Sequence, residues 1–549
     1  MNLPPEQSGR RLRAVPGGVR VLLTLLLLNG LLLALDIPRH AGPGPGWLAW
    51  EAVVLAGLFA VLPLATARVL ARVVAAILLA LIVLALFDAL ARVSLARPLN
   101  VYVDIGLLDA VFRLLTGNLP TAGVILAVAA LLAVIGLAVW SLARLLARPV
   151  VPRGAGFVLL GAGLAGLAGH ATGVEPPRTA APAVALVTAQ VDGMREARCE
   201  DRVLAHRLDE DPRLAEPRSL EGLAGVDVVV GLIESYGVSA LEIPRYAEVI
   251  EPTLEDLQED LAARDLHAVT GVMKAPIAGG QSWLAHASLL SGVAVRHAGQ
   301  YRRLQERERA TLVQDFAATG HHTAMLAPAI TLDWPEGRWF GWDRILDRDG
   351  MDYRGPPFFW VTMPDEFTWW RFEQDVRPDP QGGEAPVFAM LALVSSHAPW
   401  TPVLDVLDDP DAMDDGRVFH EQAGAGPAPE VLWRDFDRVR DHYAEAVRYS
   451  LEVSGHWARD HVDEDTLFLM PGDHQPAALV TGPDPSWAVP VHVISGDPEL
   501  LEPFRARGFH DGFELPPATG DEDIPGFEDL RDWLHEDYGD SRRSTADGR

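Results

Sequence analysis

Three apolar runs in the second half of the chain end in side chains that bind divalent cations. VDVVVGLIES (226–235) closes on Glu234 and Ser235, VFAMLALVSS (387–396) runs into His397, and TLFLMPGD (466–473) closes on Asp473 with His474 next. Carboxylates and imidazoles are ordinary ligands of zinc and manganese. Taken singly, each has a plainer explanation: a Glu after a strand commonly caps a helix, Gly-Asp is a common turn, and a His ahead of a proline sits in many loops. Together, at the ends of successive strand-like runs, they point to one site.

A nucleophile stands in PIAGGQSWLAHASLLSG (276–292), where Gly279 and Gly280 give a flexible turn and Ser282 precedes an apolar helical stretch. A serine at a helix N-terminus feels the positive end of the dipole, and the free backbone N–H groups there can hold a phosphate or sulfate. A metal bound to its oxygen favours the alkoxide. For Ser282 alone, service as an N-cap is the ordinary alternative.

The elements that must position these groups read as an α/β domain. Further apolar runs at 323–329 and 489–495 alternate with helix-like stretches at 253–265 and 438–461. In the last of these, Tyr443, Val447 and Leu451 step by four and share one face. Strands alternating with helices predict a mostly parallel, doubly wound central sheet, whose ligands bind at the carboxyl ends of the strands.

The first 174 residues differ in kind. They carry 13 arginines, no lysine and six acids, a net +7 that leaves −36 for the remainder of a chain with net charge −29. Apolar stretches at 19–36, 46–66, 69–91, 120–147 and 154–173 predict a membrane anchor of about five helices over 1–174. With the N-terminus inside, nine arginines face the cytoplasm and five the other side, which places the rest of the chain outside. Residues 98–119 predict an interfacial amphipathic helix. Residues 175–222 read as a linker with one or two short helices, and 223–549 as the soluble catalytic domain. The acidity of that domain excludes nucleic acid as a partner. A single cysteine, Cys199, excludes an intrachain disulfide and a multi-thiolate zinc site. The spans lack the runs of buried charge that mark an ion pathway, so a transporter is disfavoured.

The order Glu234, Ser282, His397, Asp473, His474 resembles the sulfatase/alkaline-phosphatase superfamily, and within it membrane-bound lipoteichoic acid synthases, phosphoglycerol transferases and phosphoethanolamine transferases. The sulfatase nucleophile pattern C/S-x-P-S-R-x-x-L-x-T-G has its length here from Ser282 to Gly292, with Leu289, Ser291 and Gly292 closing it. His286 stands where sulfatases have Arg, and the absent Pro-Ser pair argues against formylglycine chemistry. The resemblance implies one divalent metal, manganese first with zinc or magnesium as alternatives, held by Glu234, Ser282 (Thr in that branch), Asp473 and His474. It implies that His397, in Ser-Ser-His-Ala-Pro, meets substrate phosphate, and that Trp334 and Arg338 in TLDWPEGRWFGWDR (331–344) meet the head group, with His286 also on the substrate side. MPDE (363–366) is similar to a segment of the same families, and Asp365 is given no chemical role. The first strand ends Glu-Ser rather than in the Asp-Asp pair of two-metal hydrolases, so a single metal is expected. The implied activity moves a phospho-head group from a membrane phospholipid to a glycan or lipid acceptor of the cell envelope, through a phospho-serine, at the outer face of a bacterial inner membrane. A sulfatase-like hydrolase with the same site, or a non-catalytic sensor or scaffold, are the alternatives. The oligomeric state is left open.

Overall fold

The computed structural model describes residues 17–36, 46–106, 121–147, 152–174, 176–377, 385–407, 409, 412–482, 485–517 and 523–539. The chain forms two compact units, one of Met1–Ala91 with Pro98–Ala197 and the other of Arg92–Arg97 with Arg198–Arg549.

The first unit is helical: α1 (Gly17–Leu33), α2 (Trp50–Val61), α3 (Leu64–Ser94), α4 (Thr121–Leu146) and α5 (Arg153–Ala171). Where about five spans are expected, three helices among the described residues are long and apolar enough to cross a membrane: Leu64–Ser94, Ala122–Leu146 and Arg153–Ala171. The stretch 46–66 fails because Pro63 divides it. Leu62 is extended (ψ 146°), as a residue before proline must be, and α2 is left with 12 residues, about 18 Å of helix against a hydrocarbon core of about 30 Å. Of the interfacial helix expected over 98–119, the described part holds one turn, Val101–Asp104; 107–120 lie outside the described residues.

Glycines set the approach of α2 to α5. A Cβ on Gly57 would lie 2.5 Å from the Leu160 nitrogen, and one on Gly163 would lie 2.7 Å from Val54 Cγ2. Small residues let membrane helices close to backbone contact. Gly57→Leu should therefore destabilise this pair by about 1–3 kcal/mol through overpacking. Gly161→Leu, whose Cβ meets nothing within 4 Å, should not; thermal unfolding of the two variants in detergent checks the contrast.

Helix α6 (Pro182–Glu210) runs 29 residues through the region where short helices are expected. Pro182 starts it and no proline follows until Pro212, so nothing interrupts its ladder. Beyond it the second unit holds strands β1 (Asp227–Leu232), β2 (His267–Lys274), β3 (His322–Ala327), β4 (Arg344–Asp347), β5 (Val387–Ala392), β6 (Thr466–Pro471), β7 (Ala488–Ser495) and β8 (His510–Asp511). They form one sheet in the order β8-β2-β7-β6-β1-β5-β3-β4. Five contiguous strands, β6 through β4, are parallel, whereas β7, β2 and β8 join by antiparallel pairing. A mostly parallel sheet is expected, and the observed sheet is mixed. Sequence patterning misses β2 because Thr270 and Gly271 divide its apolar residues into two pairs, and Gly271 leaves room for the Phe509 ring, which a Cβ would approach to 2.5 Å.

Helices α7 (Pro244–Ala262), α8 (Ser282–Ser291), α9 (Asp365–Asp375), α10 (Phe436–His461) and α11 (Leu530–Tyr538) cover the sheet. Apolar cores lie on both its faces, which is why the strands read as unbroken apolar runs. On α10, Tyr443, Val447 and Leu451 are each 0% exposed, so the four-residue step does mark the buried face.

Candidate active site

The sheet brings three strand exits to one edge. β1 delivers Glu234, and Ser235 then turns the chain with φ of 57°, an uncommon conformation for a residue other than glycine. Two contacts hold that turn. The Ser235 N–H donates to Asp473 Oδ1 at 2.7 Å and its hydroxyl to Glu234 Oε1 at 2.9 Å. Ser396, at the β5 exit, donates to the Glu234 carbonyl at 2.6 Å, and Tyr443 of α10 to the Ser235 carbonyl at 3.0 Å.

β6 pairs with β1 in parallel and ends beside it, Ile233 bridging Gly472. Only glycine fits at 472, since a Cβ would fall 1.7 Å from the Tyr236 carbonyl oxygen. Gly472→Ala must force the two strand ends apart. We expect it to cost about 1–3 kcal/mol or more and to remove divalent-metal binding, read by thermal unfolding and by manganese titration calorimetry. Retention of both would contradict this packing.

His474 is oriented by its neighbour. Its Nδ1 lies 2.8 Å from the Gln475 carbonyl oxygen, which can only accept, so Nδ1 carries the proton and Nε2 turns its lone pair to the centre. The same carbonyl accepts from the Gly279 N–H at 2.8 Å, hanging the nucleophile loop on the residue after His474. There Gly279, Gly280 and Gln281 all take positive φ, at 75°, 135° and 72°. This reversal starts α8 at Ser282. Its hydroxyl caps nothing; it lies 2.9 Å from Glu234 Oε2 and 3.2 Å from His474 Nε2.

Glu234, Asp473 and His474 are 6%, 1% and 1% exposed, and their ligand atoms lie within 4.8 Å of one another. His474 Nε2 is 3.4 Å from Glu234 Oε1 and 3.5 Å from Asp473 Oδ2. Burial, reinforced by the Glu234 charge, pushes the Asp473 carboxyl well above the usual range. Glu234 suffers the same burial, but positive charge on His474 or His397, when either ring is protonated, and the hydroxyls of Ser235 and Ser282 draw it down to about 2. Two buried carboxylates this close do not both ionise unless positive charge joins them. A divalent cation answers that requirement, and two carboxylates, an imidazole Nε2 and a serine oxygen make a donor set suited to manganese or zinc.

The remaining expected residues divide. His286, one turn along α8 from Ser282, shares its helix face; burial holds its imidazole down to about 4 against the upward pull of Glu234, so it is neutral. His397 is exposed, with Nδ1 turned to the Ala398 carbonyl and Nε2 left for other partners, and it is near enough to act electrostatically on Glu234. Trp334 and Arg338 are not brought to the four central residues by any contact among the described residues. Arg338 pairs with Asp333 at 3.4 Å, 76% exposed, and the half-buried Trp334 packs over Gly337, whose Cβ would come within 2.3 Å of its ring.

Asp365 has a role that its sequence context did not reveal. Fully buried, it accepts from the Val394 and Ser395 N–H groups at 2.6 and 2.9 Å and from the Ser450 hydroxyl at 2.7 Å. It thereby fixes the turn that carries Ser396 and His397. In sequence it reads only as part of MPDE (363–366), a segment similar to one in the resembled families, with no chemical role.

No family model matches the chain, and no curated protein does. Solved structures similar to it include the lipoteichoic acid synthase LtaP from Listeria monocytogenes, with 13% identity over 61% of this chain and 77% of that one and a TM-score of 0.38. The Streptococcus pyogenes phosphoglycerol transferase GacH, in complex with sn-glycerol-1-phosphate, has 12% identity over 62% and 80% of the two chains and a TM-score of 0.35. The C-terminal periplasmic domain of EcEptC from Escherichia coli, in a complex with Zn, has 14% identity over 60% and 86% and a TM-score of 0.36. The functional reading rests on the geometry of the site and not on these likenesses.

Proposed function

We propose that this chain is a membrane-anchored, metal-dependent transferase that moves a phospho-head group from a membrane phospholipid to an envelope glycan or lipid, through a phospho-serine on Ser282. One observation carries the reading: a serine oxygen at a helix N-terminus lies between a buried Glu234 carboxylate (2.9 Å) and the lone-pair nitrogen of His474 (3.2 Å).

Each residue has a part. Glu234, Ser282, Asp473 and His474 would hold the cation, which when bound lowers the pKa of the serine hydroxyl and offsets phosphate charge. The N-terminal N–H groups of α8 orient an incoming phosphate oxygen beside Ser282. Ser282 Oγ attacks phosphorus; an O–P bond forms, the bond to the diacylglycerol oxygen breaks, and that oxygen takes up the proton the serine gives up. His397, exposed with Nε2 open, donates from Nε2 to phosphate oxygens when both ring nitrogens carry a proton. In the second half-reaction an acceptor hydroxyl oxygen bonds the same phosphorus, the Ser282 Oγ–P bond breaks, and Ser282 takes up the proton that the acceptor gives up. The proposed location is a bacterial inner membrane, with residues beyond the spans on the outer side.

The test is intact-protein mass spectrometry of the full chain in phospholipid vesicles with manganese. A metal-dependent adduct on the wild type, absent in Ser282→Ala and absent when chelator is added before the lipid, is expected, and its mass gives the transferred group. Free head group without an adduct would replace this reading with a hydrolase, and absence of adduct, product and bound metal together would replace it with a scaffold.

A further inference from the structure

Among the described residues beyond α6, six large apolar side chains stand exposed: Leu332 (81%), Phe359 (55%), Trp360 (73%), Val431 (46%), Trp433 (36%) and Phe436 (54%). The topology places all six at one edge of the sheet. Leu332 follows the exit of β3, and the Ile330 carbonyl beside it accepts from Arg348 N–H, just past the exit of β4, at 3.0 Å. Phe359 and Trp360 form the tip of a tight turn closed by reciprocal Phe358–Val361 backbone bonds of 2.7 and 3.1 Å. Thr362 ties that turn to the β3 exit, donating to the Pro328 carbonyl at 2.7 Å. Trp433 stacks on Trp400 at 5.9 Å and donates to the Pro399 carbonyl, a few residues past His397. Phe436 opens α10, whose far end leads into the start of β6. This is the edge that carries Glu234, His397, Asp473 and His474.

Phe359 holds φ of 60°, a strained conformation for an aromatic residue, and the strain turns two large rings outward rather than inward. We infer that this edge docks on a lipid bilayer, its aromatic tips seated among the head groups. The Phe359 and Trp360 rings project from an irregular turn, which suits the hydrated interface and not a partner helix. Turn backbone cannot enter the hydrocarbon, whereas indole and phenyl rings prefer the head-group level. The same chain carries helices fit to cross that bilayer. Beyond residue 174 the chain is strongly acidic, so the attachment is apolar and insensitive to salt. Docking here presents Ser282 to the membrane surface, and it stands whether or not Ser282 transfers a phospho-head group.

The test uses the full chain in phosphatidylcholine vesicles. In a Cys199→Ser background, Trp360→Cys carries a polarity-sensitive fluorophore, and Glu259→Cys, exposed near the far end of α7, serves as control. Loss of most of the emission at 360 with nitroxide-labelled lipid, unchanged in high salt, together with none at 259, is expected. Equal emission at both positions would overturn docking, as would cross-linking of 360 to 360 between chains in place of quenching, which would make a second copy the occupant. Phe359→Ser with Trp360→Ser should lower turnover of vesicle lipid roughly tenfold and leave a water-soluble glycerophosphodiester unaffected. If the wild type turns over neither substrate, the reading of Ser282 fails while the quenching result still decides docking.

Discussion

Ser282→Ala should lower turnover of a lipid phosphodiester on the order of 10³-fold or more, because its oxygen is the proposed point of covalent attachment. Its hydroxyl is the only part of the side chain engaged, at 2.9 Å from Glu234 and 3.2 Å from His474, and α8 begins without a side-chain cap. Removing the oxygen therefore leaves the helix start intact. Steady-state kinetics with thermal unfolding checks this: the loss should fall on kcat, with the unfolding temperature close to wild type. Manganese affinity should weaken but persist, since Glu234, Asp473 and His474 remain. Activity within tenfold of wild type would show that Ser282 is a bystander and that water attacks directly.

Asp315→Ala should destabilise the second unit by about 3–5 kcal/mol, the effect of stranding a buried charge. Asp315 is 0% exposed and Arg531 1%. The carboxylate takes two bonds from Arg531, at 2.6 and 3.0 Å, one from His535 at 2.9 Å and one from the Arg218 N–H at 2.9 Å. Arg531 in turn backs the nucleophile helix: a Cβ on Gly292, where α8 ends, would meet Arg531 Cδ at 3.2 Å. Burial pushes the Asp315 carboxyl up, but His535 and Arg531 more than offset it and hold it below the ordinary value. With the folded value depressed, the stabilisation is fully present above the unfolded value, near pH 4, and is lost as pH falls through the folded one. Denaturant titrations at pH 7 and pH 3 should thus show the gap between wild type and Asp315→Ala closing at the lower pH. Combining Asp315→Leu with Arg531→Met should recover part of the loss, because well-packed apolar groups can replace a buried pair. A single-variant loss under about 1 kcal/mol would show that the cluster does not hold α11 in place.

How much of the site is legible in sequence differs by residue. Glu234, Asp473 and His474 can be read because each ends an unbroken apolar run, and strands buried on both faces put their exits at one edge. Ser282 is legible through Gly279-Gly280 and the apolar helix after it. Asp365 is not, because its partners lie in the 394–395 turn and nothing local marks an acid that reaches across; nor is Gln475, whose backbone carbonyl, and not its side chain, takes the Gly279 N–H. For Trp334 and Arg338 no contact to the central four is found among the described residues, and their place at the head group rests on the residue pattern alone. The span expected over 46–66 fails at Pro63, which apolar content alone conceals.

The sequence by itself determined the strands β1, β3, β5, β6 and β7, their alternation with helices, and the residue types that end them, because burial on both faces writes a continuous apolar signature whatever the pairing. Only the tertiary structure decided which strands lie side by side and which way they run. β6 lies against β1 although most of the domain separates them along the chain, and the antiparallel edge of β7, β2 and β8 has no trace in local patterning. Hydrogen-bond pairing across a sheet depends on which edges meet in space. That choice, made over the whole core at once, is what sets Ser282, Glu234 and His474 within bonding distance.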